Sequence, residues 1–465
     1  MLLSCEEMKR AEAAAFARGV RVEDLMEPAG RGIAEVIRQF QPHPGTCVVF
    51  AGKGNNGGDA RIAARHLEAW GWKIREPGFE LGRGDRPLII IDGLLGIGTR
   101  GAPREPVASA IRQINALRKN RSARVFAVDL PTGLDGGSGI PADPCVQADV
   151  TITLGQPKTC LVQDVAANHV GRIAFVPLPE LTATEGNPAQ LSCPETLRSF
   201  LPPRDFDSHK GTHGRIGLIA GSEGFLGAAR LCSAAALHGG AGLVTLFARR
   251  EIYPSLAGTV APEIMVQPVD HYGQALEFRL NVLALGPGLG RWHDAEALDL
   301  IEKAHLPLVV DADALNALST HLDRLKNSRG PRLLTPHLGE MARLFPEGAE
   351  TRREAAETFT GSHPVTLLMK SSRSLVAEQG KVLFYNPTGN PGMGSGGMGD
   401  VLTGVCAALL GQGLAPAPAA AVGAWVCGRA AEIACQYAES EESLSAAHVI
   451  SHLGLAFRSL REGDY

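Results

Sequence analysis

The chain has 465 residues, a formal net charge of -4 at pH 7 and 20% charged residues. This length predicts two or three domains with large cores. The near balance of acidic and basic residues gives no reason to expect a nucleic-acid partner. Glycine and alanine are plentiful and only 5% of residues are aromatic, a mix typical of α/β proteins with tight strand-to-helix turns.

The cysteines and the apolar runs predict a soluble cytoplasmic protein without a membrane segment. None of the nine cysteines forms a C-x-x-C pair, and most lie inside apolar runs, as buried free thiols do in a reducing compartment. The N-terminus is charged within six residues and lacks the apolar core of a signal peptide. The most apolar stretches are too short, or too interrupted by charge, to span a bilayer.

The first half of the chain alternates helical patterns with apolar runs. Helices are predicted at residues 8–19, 25–40, 59–71 and 104–119, and strands at 46–52, 87–96, 124–133 and 149–155. Strand, loop and helix in repetition predict a mostly parallel sheet that is covered on both faces. Ligands of such sheets bind at the carboxyl ends of the strands.

The pattern breaks between Pro177 and Pro203, where Pro, Thr and Glu are frequent, and this stretch is the best linker candidate. Beyond it, short apolar strands and helices begin again. Residues 399–413 form the clearest helix, with one predicted apolar face made of Val401, Leu402, Val405, Cys406 and Leu409. The second half is therefore predicted to be another, larger α/β domain.

Three loops of the first half carry polar residues at predicted strand ends. The loop "GKGNNGGDA" offers glycines for close backbone approach and a helix N-terminus for an anion, and its side chains Asn55, Asn56 and Asp59 offer oxygens for a cation or for sugar hydroxyls. Asp92 and Asp129 each end a strand before a glycine-rich loop. Either acid could instead cap the next helix. Lys158 could reach the same pocket or be a solvated surface lysine.

The segments "MEPAG", "GNNGGD", "DGLLGIG" and "DLPTGLD" resemble the N-terminal module of the NAD(P)H-hydrate repair enzymes, the YjeF-type epimerase domain. The resemblance implies K⁺ ligands at Asn56, Asp92 and Thr132, and a substrate and proton-transfer role for Asp129. The predicted substrate-binding residues of this half are Asn55, Asn56, Gly57, Gly58, Asp59, Gly96, Gly98, Arg100, Asp129 and Lys158. Ala60 and Thr132 stand where the family usually has Gly and Ser.

The segment between Asp59 and Asp92 is shorter than in that family. It holds one predicted helix and little else, where relatives carry about one more βα unit, on the order of 30 residues. The stretch "REPGFELGRGDRP" is what remains of it. This shortening bears directly on whether the first half is an active epimerase.

The second half contains "GNPGMGSGGMGDVLTG", in which glycines precede Asp400 and a helix. Free amides at a helix N-terminus can stabilise a transferring phosphoryl group, and Asp400 can take a proton from a hydroxyl. The alternative for Asp400 is a helix N-cap. The stretch resembles the G-x-G-D anion hole of ribokinase-like enzymes.

Further segments, from "SHKGTHGRIGLIAGS" to "LMKSSRSLV", occur in the order seen in ADP-dependent (S)-NAD(P)H-hydrate dehydratases. The resemblance implies hydrate contacts at Ala228, Gly288, His337 and Asp400. It implies adenine-nucleotide contacts at Lys370, Ser371, Ser372, Arg373, Ser374 and Gly399. His337 alone could be a core histidine, and Ser371 replaces a frequent Gly.

These resemblances predict two three-layer αβα domains, one Rossmann-like and one ribokinase-like. The expected boundaries are an epimerase domain at 1–181, shortened between 60 and 90, a linker at 182–200 and a dehydratase domain at 201–465. The enzyme would convert R to S NAD(P)HX and dehydrate the S form to NAD(P)H, using ADP with Mg²⁺ and K⁺. Its expected partners are these small molecules, and relatives of both domain types predict a homo-oligomer.

Two alternatives remain. In the first, only the dehydratase is active and the N-terminal domain is a nucleotide-binding module. In the second, the chain is a ribokinase-like kinase that uses ATP on a small alcohol, which the shared G-x-G-D loop permits.

Overall fold

The computed structural model describes residues 1–80, 82, 84–98, 101–181, 189–201 and 203–465. These form two compact units: unit 1 is Met1–Cys193 with Tyr465, and unit 2 is Pro194–Asp464. None of the helices in the described part of the chain has the length and apolar character needed to cross a membrane.

Unit 1 is built around a sheet of parallel strands. The strands of this sheet are β1 (Thr46–Ala51), β2 (Lys73–Arg75), β3 (Leu88–Gly93), β4 (Arg124–Val128), β5 (Val150–Gly155) and β6 (Arg172–Pro177). Unit 1 also contains the two-residue strand β7 (Gln190–Leu191), which is not part of this sheet. Its helices are α1 (Cys5–Ala17), α2 (Val22–Phe40), α3 (Asn55–Ala69), α4 (Val107–Arg121) and α5 (Ala167–Val170).

The strand order of the 6-stranded sheet is β2-β1-β3-β4-β5-β6, and every pair in it is parallel. The order reverses between β1 and β3, which is where open α/β sheets form their ligand crevice. The register pairs Ala51 with Gly93, so the loops that follow β1 and β3 leave the sheet side by side. The predicted parallel sheet of the first half is confirmed.

Three strands of unit 1 were not predicted: β2, β6 and the two-residue β7. β2 lies in the short segment between Asp59 and Asp92, so the prediction of one helix and little else there was wrong in this respect. β2 has three residues at the sheet edge and only partial burial, which is too short for a periodic signal. β6 is buried over its first five residues, yet its apolar run was not singled out.

Unit 2 contains a second sheet with mostly parallel pairs. Its strands are β8 (Arg215–Ile219), β9 (Leu243–Arg249), β10 (Ile264–Val269), β11 (Val282–Leu285), β12 (Leu308–Val310), β13 (Arg332–Leu334), β14 (Thr366–Met369), β15 (Leu375–Glu378) and β16 (Phe384–Tyr385). Their order is β10-β9-β8-β11-β12-β13-β14-β15-β16, in which β15 pairs antiparallel with both neighbours.

The helices of unit 2 lie between these strands and after them. They are α6 (Pro194–Leu197), α7 (Leu226–His238), α8 (Tyr253–Ala257), α9 (Asp294–Lys303), α10 (Ala312–Leu318), α11 (Asp323–Lys326), α12 (Leu338–Leu344), α13 (Arg352–Ser362), α14 (Met398–Gly411), α15 (Pro416–Tyr437) and α16 (Ala446–Glu462). The predicted linker overlaps α6. Residues 182–188 of that linker lie outside the described residues, whereas Cys193 and Leu197 are buried.

The predicted helix is present as α14, and its five predicted apolar residues are buried. Its other faces are buried as well, which the sequence did not predict. All ten residues from Val401 to Leu410 are buried. An atom built at the Cβ position of Gly404 would lie 2.2 Å from the carbonyl oxygen of Cys232 in α7. The two helices therefore meet backbone to backbone, and small residues at the contact permit the approach.

This contact predicts opposite effects for two Gly→Ala changes. Gly404→Ala is expected to destabilise unit 2 by about 1–3 kcal/mol through overpacking. The control is Gly454→Ala in α16, where nothing lies within 4 Å of an added Cβ; it should stabilise by up to about 1 kcal/mol, because Ala favours helix more than Gly. Thermal unfolding of both variants tests this, and equal shifts would contradict the close crossing.

Candidate active sites

The loop after β1 places Asn56 in the crevice of unit 1. Its side-chain Nδ2 donates to Leu95 O (2.8 Å) and to Val128 O (2.9 Å), so it joins the loops that follow β1, β3 and β4. An atom built at the Cβ of Gly96 would lie 3.3 Å from Asn56 Cγ. The structure therefore brings the predicted residues Asn56 and Gly96 together.

Several glycines of this loop are required by packing. A Cβ on Gly57 would lie 2.0 Å from Gly52 O, and one on Gly58 would lie 2.6 Å from Met26 Cε. By contrast, an added Cβ on Gly98 would meet nothing within 4 Å. Asn55 is exposed at the first residue of α3, and the predicted Arg100 lies outside the described residues.

Asp92 at the end of β3 is hydrogen-bonded to Thr132 in the loop after β4. The Asp92 carboxylate accepts from Thr132 Oγ1 (2.7 Å), from Thr132 N (2.8 Å) and from Leu94 N (3.3 Å). Asp92 is 0% exposed, and burial raises its pKa to about 6 although these hydrogen bonds oppose the shift. Among the described residues no Lys or Arg pairs with this carboxylate, so a bound cation would compensate its buried charge.

Asp129 and Lys158 form a buried ion pair next to that site. Lys158 Nζ donates to Asp129 Oδ1 (2.5 Å) and to Leu154 O (2.6 Å). Only 1% of the Lys158 side chain and 10% of that of Asp129 are exposed. The interpretation of Lys158 as a solvated surface lysine was therefore wrong. Asp129 adopts a positive φ of 66°, which a non-glycine residue rarely does.

Two further carboxyl groups interact with this pair. Asp59, in the first turn of α3, is 8% exposed, and burial, followed by the charges of Asp129 and Glu12, raises its pKa to about 7. Glu12 of α1 is partly buried, and desolvation followed by the Asp129 charge raises its pKa. Glu12 belongs to none of the sequence motifs.

The site of unit 2 lies at the carboxyl ends of β12, β13 and β14. Asp311 follows β12 and is 1% exposed. Its Oδ1 accepts from Lys370 Nζ (2.7 Å) and its Oδ2 accepts from Thr403 Oγ1 (2.8 Å). Asp311 thus fixes both the lysine after β14 and the first turns of α14.

Asp400 lies in the first turn of α14, beside this group. Burial, followed by the charge of Asp311, raises its pKa to about 6, and the Lys370 charge opposes the shift. The N-cap of α14 is Gly397, so the interpretation of Asp400 as the helix cap was wrong. A carboxyl group with this pKa is largely ionised at pH 7 and can accept a proton.

His337 lies at the same edge but is not a core residue, since 53% of its side chain is exposed. It is the N-cap of α12, and its Nδ1 accepts from Gly339 N (2.9 Å) and Glu340 N (3.2 Å). Its backbone neighbours Lys370, whose N donates to Pro336 O (2.8 Å). The side chain of Glu340 lies 3.9 Å from Lys370 Nζ.

The remaining predicted residues of unit 2 fall into two places. Ala228 and Gly288 touch, because a Cβ on Gly288 would lie 2.8 Å from Ala228 Cβ. Gly399 lies over the ion pair, with its Cβ position 3.3 Å from Lys370 Nζ. The stretch from Lys370 to Ser374 joins β14 to β15.

That turn is held by its own serines. Ser374 Oγ donates to Ser371 O (3.1 Å), and Arg373 N donates to Ser371 Oγ (3.2 Å). Ser372 is exposed, whereas Arg373 is 5% exposed. Ser372 is thus the most accessible residue of the predicted nucleotide stretch, and Lys370, Ser371 and Ser374 are partly accessible.

Sequence reasoning missed Asp311, Asp313, Thr403 and Glu340 as members of the second site. Asp311 had a usable signal, because "LPLVVDAD" places an acid directly after a strand, as at Asp92 and Asp129. Asp313 accepts from Gly290 N at Oδ2 (2.9 Å). Thr403 and Glu340 gave no such signal.

Two family models match the chain. One, described as NAD(P)H-hydrate dehydratase, covers residues 216–453, and the other, described as YjeF-related protein N-terminus, covers residues 22–80 and 76–160. The second match is in two pieces that meet in the loop after β2. Each of the two sheets that carry acidic residues at their carboxyl edges thus lies in a segment that matches a family of enzyme domains.

Similar proteins share this pair of domains. The chain is 36% identical to the bifunctional NAD(P)H-hydrate repair enzyme Nnr of Moorella thermoacetica, over 94% of this chain and 93% of that protein. It is 35% identical to the Escherichia coli enzyme of the same name, over 92% and 88%. The chain therefore belongs to the bifunctional NAD(P)H-hydrate repair enzymes.

A solved structure supports the fold of unit 2. The ADP/ATP-dependent NAD(P)H-hydrate dehydratase of Bacillus subtilis, co-crystallised with ATP and Mg²⁺, aligns with a TM-score of 0.52 and 28% identity. The alignment covers 58% of this chain and 98% of that one. The predicted ribokinase-like fold of the second half is confirmed.

Proposed function

We propose that this chain repairs hydrated NADH and NADPH with both of its units. Unit 1 converts the R epimer of the hydrate to the S epimer, and unit 2 dehydrates the S epimer at the expense of ADP. The proposal depends mainly on the hydrogen-bonded group of Asp311, Lys370 and Thr403, which lies beside Asp400. In this group the Lys370 ammonium can bind phosphate, and Asp400 can accept a proton at the N-terminus of α14.

The chemistry of unit 2 follows from the poor leaving ability of hydroxide. Asp400 accepts the proton of the C6 hydroxyl while that oxygen takes the terminal phosphoryl group of ADP, which leaves AMP. The C6–O bond then breaks with loss of phosphate, and a proton leaves C5 to form the double bond of NAD(P)H. Lys370 and the amides of Gly394–Gly399 stabilise the negative charge of the moving phosphoryl group.

Among the other predicted residues, Ala228, Gly288 and His337 would contact the hydrate, and the turn from Lys370 to Ser374 with Gly399 would hold the nucleotide. Mg²⁺ would bind mainly through the nucleotide phosphates. Asp313 is a protein candidate for it, because only its Oδ2 accepts a hydrogen bond within the described ranges. When bound there, Mg²⁺ would neutralise part of the charge on the transferring phosphoryl group.

In unit 1, Asn55–Asp59, Gly96, Gly98, Arg100, Asp129 and Lys158 would bind the hydrate. K⁺ fits beside them, because Asn56, Asp92 and Thr132 offer oxygen ligands and Asp92 is a buried carboxylate. The side-chain hydrogen bonds of Asn56 use its Nδ2 as the donor, so its Oδ1 is available to bind the ion. K⁺ would neutralise the charge of Asp92 and stiffen the three loops.

The K⁺ site can be tested by removing only the hydroxyl group of Thr132. Thr132→Val removes one proposed ligand and one donor to Asp92, so the K⁺ concentration for half-maximal epimerase activity should rise at least about 10-fold, the equivalent of one lost hydrogen bond to a charged group. Thr132→Ser keeps the oxygen and should stay near wild type. Identical K⁺ dependence in both variants would exclude this ligand set.

The proposed function itself is tested by chromatography of mixed R and S NADHX after incubation with protein, ADP, Mg²⁺ and K⁺. Both epimers should disappear with formation of NADH, AMP and phosphate, faster than spontaneous epimerisation allows. If R lags equally with wild type and Asp129→Asn, unit 1 is only a binding module. If a phosphorylated alcohol forms instead with ATP, the kinase alternative holds. The homo-oligomer and the cytoplasmic location stay predictions.

A further inference from the structure

Unit 1 contains four side chains whose charges act on one another: Asp129 after β4, Lys158 after β5, Asp59 of α3 and the partly buried Glu12 of α1. The thiols of Cys5 and Cys160 also interact with Asp129 and Lys158. The charges of Asp129 and Lys158 act on both Asp59 and Glu12. Three carboxyl groups therefore interact with the Lys158 ammonium group, and Lys9 acts on Glu12 as well. Full ionisation of all three would leave uncompensated negative charge in a desolvated space, which is costly.

Within the described part of the chain, Asp129 is the one member of these three carboxyl groups that forms an ion pair. Asp129 pairs with Lys158 and also accepts from Leu154 N (3.2 Å). Asp59 is 8% exposed, yet its carboxyl group has no hydrogen bond or ion pair with any residue in the described ranges. Asp129 thus has a cationic partner, whereas burial without one raises the pKa of Asp59 to about 7.

Helix α1 closes this group on one side. Leu3 N donates to Pro157 O (2.9 Å) and Thr159 N donates to Leu3 O (2.8 Å), so the chain before α1 pairs with the segment that carries Lys158. A Cβ on Gly155 would lie 2.8 Å from Met8 Cε, which places α1 over the end of β5. Glu12 follows Met8 by one helical turn and faces the same group. Lys9 is the other charged residue of α1 that acts on Glu12.

The epimerisation proposed for unit 1 needs two proton transfers. The C6 carbon carries a hydroxyl group and is bonded to the ring nitrogen, whose electron pair can stabilise a cation at C6. The C6–O bond breaks when the departing oxygen receives a proton and leaves as water. Water then adds to the opposite face of C6 and gives up a proton. One acid and one base are required.

We propose that Asp59 is the acid and Asp129 the base of this epimerisation, an inference that rests on the proposed function of unit 1. The Asp59 carboxyl protonates the departing C6 hydroxyl, and the Asp129 carboxylate takes the proton of the incoming water. One proton is given and one is taken. Return of the proton from Asp129 to Asp59 restores the starting state.

The experiment follows conversion of purified R-NADHX to the S epimer by the full chain without ADP, so that dehydration does not occur. Asp59→Asn is expected to lower kcat on the order of 100-fold or more, the usual share of an acid catalyst, with KM within about 3-fold. Asp59→Glu should recover part of the rate. The thermal unfolding of each variant confirms that it is folded.

The pH dependence of the epimerase rate distinguishes an acid catalyst from a residue that only supports the fold. A purely structural role of Asp59 would not change this dependence. The wild-type rate should fall about tenfold per pH unit above about pH 7, as the acid form of Asp59 is lost. Asp59→Asn should lack this fall. Glu12→Gln should move the fall to lower pH, because the charge of Glu12 raises the pKa of Asp59.

The outcomes separate this inference from the proposed function. If Asp129→Asn is inactive but Asp59→Asn keeps the wild-type kcat and pH profile, the role of Asp59 is overturned and the epimerase stands. If the alkaline fall disappears in Glu12→Gln instead, the acid is Glu12 and the proposal is likewise overturned. If Asp129→Asn epimerises as fast as wild type, the epimerase assignment itself fails.

Discussion

Asp400→Asn is expected to lower kcat for dehydration of S-NADHX about 100- to 10,000-fold, because the amide cannot accept the hydroxyl proton. In the wild-type protein the same step should slow about tenfold per pH unit below about pH 6, where the carboxylate becomes protonated. The measurement is NADH absorbance with pure S epimer, ADP and Mg²⁺ over a range of pH.

Two controls separate lost chemistry from lost fold. Burial raises the pKa of Asp400, so its ionised form destabilises the folded state above that pKa. The Asp400→Asn variant should therefore be at least as stable as wild type at pH 7. Asp299→Asn changes a half-exposed carboxylate on α9 and should keep full activity. Normal dehydration by the Asp400→Asn variant would exclude the proposed base.

Lys158→Met is expected to destabilise unit 1 by about 3–5 kcal/mol, because it leaves the Asp129 carboxylate buried without its partner. Epimerase activity should be lost with it. Calorimetry of the full chain measures the effect as a lowered unfolding temperature of one transition. The transition of unit 2, monitored through dehydratase activity after heating, should not move.

The matched control is Lys303→Met, which breaks an ion pair with Asp299 whose side chains are 56% and 50% exposed. Such a surface pair contributes about 0–1 kcal/mol. If Lys158→Met lowers the free energy of unfolding by no more than Lys303→Met does, the buried ion pair is not required for the fold. The double variant with Asp129→Asn should recover part of the stability, since the unpaired charge is then removed.

The sequence was informative wherever a local pattern determines structure. Acids after apolar runs identified Asp92 and Asp129 at the carboxyl edge of the first sheet, because parallel strands bring such residues together. The same rule applies to Asp311, which the sequence interpretation did not use. The order of motifs identified the ribokinase-like half.

Other features depend on contacts between distant segments, and no local pattern contains them. Lysine side chains are usually exposed, so the sequence gives no sign that Lys158 is buried. Its burial results from packing against Asp129 and the first residues of the chain. Glu12 lies in an ordinary amphipathic helix. The full burial of α14 depends on how closely α7 approaches it, which periodicity along one helix cannot reveal.

The pairing of Leu3 with the Lys158 segment has a consequence for dissecting this protein. The family match of unit 1 begins at residue 22, so a fragment cut at that boundary would lack α1 and the residues before it. It would lose the two backbone hydrogen bonds beside Lys158 and the carboxyl group of Glu12. Domain limits taken from sequence similarity would thus remove residues that pack beside the proposed epimerase site, and an inactive fragment would say nothing about the whole chain.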